Sequence, residues 1–212
     1  MLARQTATPL RVIVYVDGFN LYFGLKTKNY RRYYWLDIER LAGNLLRAGQ
    51  ELVRVKYFTA DLKGGNDKWR RQQVFLDALL THARQLDIIR GHYLLKQRRC
   101  RKCGYSMEVP EEKKTDVNIA THMMTDAFQD CFDIAMVISG DSDLVPPVEM
   151  IRMHLPDKRI VVAFPPGRQS HDLQRAADSC FWINQKHLRI SQLPNPVAKA
   201  NGHLLYRPST WK

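Results

Sequence analysis

The feature that most restricts how this chain can fold is a regular alternation of apolar runs with amphipathic stretches. Residues 11–17 (RVIVYVD), 51–60 (ELVRVKYFTA), 86–95 (LDIIRGHYLL), 132–139 (FDIAMVIS) and 158–164 (KRIVVAF) are apolar runs bounded by turn residues. Several are continuous enough to be strands buried on both faces. Between them, residues 36–49, 67–85, 115–130 and 143–155 repeat apolar side chains at the spacing of amphipathic helices. Strands separated by helices pair through crossovers, so the expected architecture is α/β, with a mostly parallel central sheet of about five or six strands and helices on both faces. FWIN, at 181–184, would add a short edge strand.

A chain of 212 residues can bury one sizeable core. One domain is expected over 1–185, followed by a basic C-terminal tail over 186–212. Residues 187–212 hold three prolines, four cations and no acids, which reads as a mobile or surface-bound segment. No apolar run approaches the roughly 18 residues that would span a bilayer. The N-terminal MLARQTATPL has no apolar stretch of signal-peptide length, and four cysteines are too few for a disulfide scaffold. A cytoplasmic setting without a membrane partner is the expectation.

In an open α/β sheet, ligands bind beyond the carboxyl ends of the strands. Asp17 ends the first run in VYVDGFN, and Asp141 and Asp143 follow the fourth in MVISGDSDLVPP. If those strands are parallel, the three acids share one rim. Asp116 opens the helical stretch TDVNIATHMMTDAF, whose Ile119, Ala120, Met123 and Ala127 face inward, and it is the fourth candidate. Asp126 lies ten residues along that helix, about 15 Å away, and His122 is rotated well off the Asp116 face. Neither can share the site. Converging carboxylates repel one another unless a cation joins them, and hard oxygen ligands suit Mg²⁺ or Mn²⁺. Each acid also has a purely structural reading: Asp17 could form an Asp-Gly turn, and Asp143 could cap the helix that LVPP begins.

The net charge of +12 points to a polyanionic partner, nucleic acid foremost. Five cations crowd into KQRRCRK at 96–102, while KTKNYRRYYW (26–35) and KWRR (68–71) interleave cations with aromatic rings. That mixture suits single strands, although the same rings could equally anchor a solvated face to the core.

VYVDGFN, EEKKTDVNIATHMMTDAF and FDIAMVISGDSDLVPPVE, in this order and spacing, resemble the NYN domains of the PIN-like nuclease superfamily, in its LabA-like branch, over roughly residues 11–165. The resemblance implies a Rossmann-like PIN fold and a metal-dependent endoribonuclease that cleaves single-stranded or loop RNA by a metal-activated water. It places Asp17, Asp116, Asp141 and Asp143 on the catalytic, Mg²⁺- or Mn²⁺-binding acidic site. Asn20 falls on the Asn of the VDGxN segment, expected to orient Asp17 or contact phosphate, and Lys114 opens the K-x-D-V segment as a substrate contact. Where some relatives carry a further acid, this chain has His122. The alternative is a nucleic-acid-binding regulatory module without catalysis. A phosphotransferase of the haloacid-dehalogenase type is disfavoured, because Tyr15 and Phe19 stand where a second acid would be needed.

Cys100 and Cys103 form a C-x-x-C-G knuckle inside a basic hairpin insertion over about 96–112, and such a turn can present two thiolates to Zn²⁺. A redox pair and a metal-free hairpin remain open. Cys131 and Cys180 sit in apolar contexts as core residues, leaving His82, His92 or a second chain to complete a zinc site. Arg98, Arg99, Arg101 and Lys102, on the flanks of the knuckle, are expected to clamp an RNA backbone. A homodimer is compatible with the chain, since a second subunit would wall the substrate groove; no residue specifies it.

Overall fold

A computed structural model describes the backbone of residues 8–62, 65–99 and 103–211, and the side chains of all of these except 92–98 and 107–113. Strand β1 (Leu10–Asp17) is followed directly by helix α1 (Gly18–Thr27), then α2 (Ile38–Leu45), β2 (Gln50–Ala60), α3 (Asp67–His82) and β3 (Leu86–Arg99). Next come β4 (Ser106–Lys113), α4 (Thr115–Phe128), β5 (Ile134–Ile138), α5 (Val145–His154), β6 (Arg159–Phe164), α6 (His171–Ala176), β7 (Ser179–Trp182) and α7 (Gln185–Ile190).

Six strands are parallel, in the order β3-β2-β1-β5-β6-β7, with β4 added antiparallel at the β3 edge. The parallel part has the doubly wound Rossmann order, in which the chain reverses direction across the sheet between β1 and β5. Loops leaving those two strands diverge, and a crevice opens at their carboxyl ends.

Alternation along β1 divides the core. Val12, Val14 and Val16 face α1, α2 and α3, packing with Leu21, Leu41 and Leu76; Ile13 and Tyr15 face α4, α5 and α6, packing with Ile119, Val148 and Leu173. Such two-sided burial is why β1 and β5 read as unbroken apolar runs. Helix α1 has no counterpart in the sequence reading. Its inward positions are Gly18, Leu21, Gly24 and Leu25, so two glycines occupy half of the face that would have shown a helical period. A Cβ on Gly18 would lie 2.6 Å from the Phe58 carbonyl oxygen. Close packing therefore requires the residue that hides the pattern.

The basic insertion is a two-stranded ribbon that begins earlier than expected. The first half of β3 pairs with β2, and its second half pairs with β4 in the register His92↔Lys113 to Arg99↔Ser106. Lys114 then turns the chain at φ 79° straight into α4.

Of the segment 186–212, expected as a tail, residues 186–211 are laid onto the core. Leu188, Leu193, Val197 and Leu205 are buried with the α1–α3 side. The Leu193 amide donates to the Trp35 carbonyl at 3.0 Å, and Trp35 Nε1 donates to the Pro194 carbonyl at 2.9 Å. A two-strand hairpin, β8 (Val197–Ala198) and β9 (Leu204–Leu205), follows, and Trp211 meets Trp35, Tyr34 and Phe75 at 5.6–6.4 Å between ring centroids. Apolar residues spaced irregularly among prolines gave no periodic signal for this docking.

Candidate metal centre

Asp17 sits at the carboxyl end of β1 and is almost fully buried, at 3% exposure. Its Oδ1 accepts the Asn20 amide at 2.9 Å and so caps α1. Its Oδ2 accepts the Ser139 hydroxyl at 2.9 Å. Ser139, just beyond β5, in turn accepts the Asp141 amide at 3.1 Å, and Asp141 Oδ1 accepts the Asp143 amide at 3.0 Å. The side chain of Asn20 closes the circuit from the other direction, its Oδ1 accepting the Gly140 amide at 2.9 Å. Two strand ends remote in sequence are thereby fixed to each other through hydrogen bonds.

Asp116 reaches the same rim from the first turn of α4. Carboxylate oxygens of Asp17, Asp116 and Asp141 lie within 4.8 Å of one another. Asp143 is outside this group and does not cap α5, which begins without a side-chain cap; Asp141 instead caps the short 3-10 turn Ser142–Leu144 that precedes it. Electrostatics confirm the crowding. Burial pushes the Asp17 carboxyl up from its usual value, and the Asp141 charge adds to the effect against the hydrogen bonds that oppose it. Asp116 is pushed up to about 6, first by burial and then by the charges of Asp17, Asp141 and Asp143. Three carboxylates converging on one point fit a hard divalent cation, which offsets the repulsion between like charges.

The acids open into a cavity of about 200 Å³ lined also by Phe19, Asn20, Phe23 and Arg168. Phe19 and Phe23, one helical turn apart on α1, lie with ring centroids 6.5 Å apart. Phe23 and Tyr22 are exposed and meet edge to face at 5.4 Å. Arg168 belongs to the loop after β6. Its guanidinium stands 5.9 Å from the Phe23 ring centroid.

The sequence matches the NYN domain family over residues 11–184. The chain belongs to the NYN domain family. The NYN assignment makes the architecture a PIN-like, nuclease-type fold, and it covers the six parallel strands and the acidic site. The chain is also 27% identical, over an alignment of 255 residues covering 100% of it and 78% of the relative, to 6-hydroxy-3-succinoylpyridine 3-monooxygenase of Pseudomonas putida. A crystal structure of a protein of unknown function from Vibrio parahaemolyticus superposes with a TM-score of 0.56 at 18% identity, covering 85% of this chain and 97% of that one.

Around this NYN core, the remaining expected residues are distributed unevenly. Lys114 is exposed, two residues before Asp116. Arg99 is exposed at the end of the ribbon, where its Nε donates to the Gly104 carbonyl at 3.1 Å. The side chain of Arg98, and all of Cys100, Arg101 and Lys102, lie outside the described residues. Cys103 is exposed and forms no disulfide among the described residues. His82, on α3, has its Nε2 3.3 Å from Asp37. Asp126 and His122 sit away from the acids: Asp126 accepts from Tyr15 Oη and Lys56 Nζ, each at 2.6 Å, and His122 Nδ1 is 3.4 Å from the same lysine. The rings of Tyr33, Tyr34 and Trp35 are core residues rather than exposed stacking surfaces.

Ser139, Phe23 and Arg168 are members of the site that the sequence reading did not assign. Arg168 had a usable signal, because PPGRQS directly follows the run 158–164 and the strand-end rule applies to that strand as it does to the others. Among the described residues no helix is long and apolar enough to cross a membrane.

Proposed function

We propose that the chain is a metal-dependent endoribonuclease acting on single-stranded or loop RNA. The observation that carries this reading is the convergence of Asp17, Asp116 and Asp141 carboxylates, within 4.8 Å of one another, at the reversal point of the sheet. These three residues would hold Mg²⁺ or Mn²⁺. When bound, such a cation lowers the pKa of a coordinated water and offsets charge on a phosphodiester. The protein's own groups do the rest. Ser139 and the Asn20 amide hold Asp17 in one orientation, Asp141 is held by the Asp143 amide, Arg168 offers positive charge beside the acids, and Lys114, exposed two residues before Asp116, is a further cation for the substrate.

The deciding experiment follows a labelled RNA with Mn²⁺ or Mg²⁺, comparing the native chain with Asp17→Asn and Asp141→Asn. Cleavage that both substitutions reduce to the level of buffer supports the enzyme. Cleavage that survives them points to a contaminant, and RNA binding with no cleavage under any metal favours a regulatory binding module instead.

The similarity to the pyridine monooxygenase supports a second reading, in which a small aromatic acid places its ring on Phe19 and Phe23 and its acid group on Arg168. Oxygen uptake with 6-hydroxy-3-succinoylpyridine and a supply of reductant, measured on the same preparations, separates the two.

A further inference from the structure

The loop that carries Arg168 is built to hold it in place. It leaves β6 through Pro165 and Pro166, turns at Gly167 with φ 70°, and closes with the Arg168 amide donating to the Pro165 carbonyl at 3.1 Å. Glycines of two other elements receive it. A Cβ on Gly24 of α1 would meet the Pro166 carbonyl oxygen at 2.6 Å, and one on Gly140 would meet the Gln169 nitrogen at 2.9 Å. Both obstacles are backbone atoms, which cannot swing aside. The stem of Lys28 lies over Gly167, where a Cβ would come within 3.1 Å of it.

Despite this fixed placement, Arg168 Nε is buried and finds no hydrogen-bond acceptor among the described residues. A buried donor without a partner is costly, and a charged one more so, so the position favours an anion as the missing acceptor. The neighbouring surface is aromatic and basic. Phe23 and Tyr22 are exposed at 41% and 43%, and Lys26 Nζ lies 5.7 Å from the Phe23 centroid on the side chain's own helix.

Resting on the ribonuclease reading, we propose that Arg168 and Phe23 form a nucleotide subsite for an unpaired residue of the substrate strand. Arg168 takes a phosphate at the rim of the acidic cavity, and the adjoining base lies on the exposed rings of Phe23 and Tyr22. The cavity, at about 200 Å³, is smaller than the roughly 300–1,000 Å³ of pockets that enclose small ligands, which suits a phosphate seated inside with its base outside. A base paired in a duplex has no free face to offer these rings, so the subsite selects single strands.

The test measures anisotropy of a short fluorescein-labelled single-stranded RNA and of its duplex, with Ca²⁺ in place of Mg²⁺, for the full chain and its variants. Phe23→Ala should weaken single-strand binding about tenfold and leave duplex binding unchanged, and Phe23→Trp should restore it. Arg168→Gln should weaken binding about tenfold and lower the slope of log affinity against log salt by about 0.7, whereas Arg168→Lys should keep that slope. Thermal melts establish that each variant is folded. If the native chain cleaves RNA with Mn²⁺ while Phe23→Ala and Arg168→Gln bind the single strand as it does, the subsite is refuted and the ribonuclease reading stands. If the native chain neither binds nor cleaves RNA, and Arg168→Gln instead abolishes binding of 6-hydroxy-3-succinoylpyridine, both are refuted.

Discussion

The Ser139 hydroxyl donates to Asp17 Oδ2 at 2.9 Å, across a sequence separation of 122 residues, and this bond ties the carboxyl end of β5 to that of β1. Ser139→Ala removes the donor and leaves Asp17 oriented by backbone amides at the start of α1. Groups that orient metal ligands typically govern affinity ten- to a hundredfold, and calorimetric titration with Mn²⁺ should show a loss of about that size. The buried acceptor left behind should also lower folding stability by about 1–3 kcal/mol in urea unfolding.

Asp116 makes stability depend on pH in the opposite sense to a salt-bridged acid. Its folded value, about 6, lies above its ordinary 3.8, so its favourable contribution is complete below about 3.8 and is lost as pH rises through 6. In chelator, the native chain should therefore lose stability relative to Asp116→Asn as pH is raised from about 4 to 7. Mn²⁺ at neutral pH should reverse the difference, read as a shift in melting temperature.

Lys56 and Asp126 meet at 2.6 Å with side chains only 14% and 11% exposed, and Tyr15 donates to the same carboxylate oxygen. This network joins β1 and β2 to α4, the helix whose first turn carries Asp116. Lys56→Met leaves a buried carboxylate without its counter-charge and should destabilise the fold by about 3–5 kcal/mol. The double variant Lys56→Met with Asp126→Leu should recover much of that loss in the same unfolding measurement.

Among the described residues, Lys114 is one of three non-glycine residues with positive φ, and it precedes α4 without a side-chain cap. Lys114→Gly relieves the backbone and should leave stability unchanged or raise it by about 1 kcal/mol. If the side chain contacts substrate, RNA cleavage by this variant should nonetheless fall. Lys114→Arg, which keeps the charge, should retain activity.

Trp211 packs against Trp35, Tyr34 and Phe75, and Tyr34 in turn lies 5.2 Å from Tyr22 between ring centroids. Trp211→Ala should cost on the order of 2 kcal/mol in folding stability, since a large ring is removed from a partly buried site. The C-terminal segment thus supports the aromatic surface beside the acids, and limited proteolysis should show the variant cut earlier within 191–211.

The sequence by itself determined the parts of this protein that repeat along the chain or recur as motifs. Strand and helix periods gave the parallel sheet, because burial on both faces writes continuous apolar runs such as 132–139. Acids at strand ends gave Asp17 and Asp141, because loops in such a sheet must splay at one rim. Only the tertiary structure decided what depends on close approach between remote segments. Gly18 and Gly24 erase the period of α1 because backbone and ring atoms occupy the space of their Cβ atoms. Asp143 falls outside the acid group, and its backbone amide donates to Asp141 Oδ1. Arg168 joins the site because two glycines admit its loop, and residues 186–211 join the core because Trp35 hydrogen-bonds to Pro194 and packs its ring against Trp211. Periodicity is a local property that residues show singly; contact between segments far apart depends on shape and polar pairing, and neither leaves a period to read.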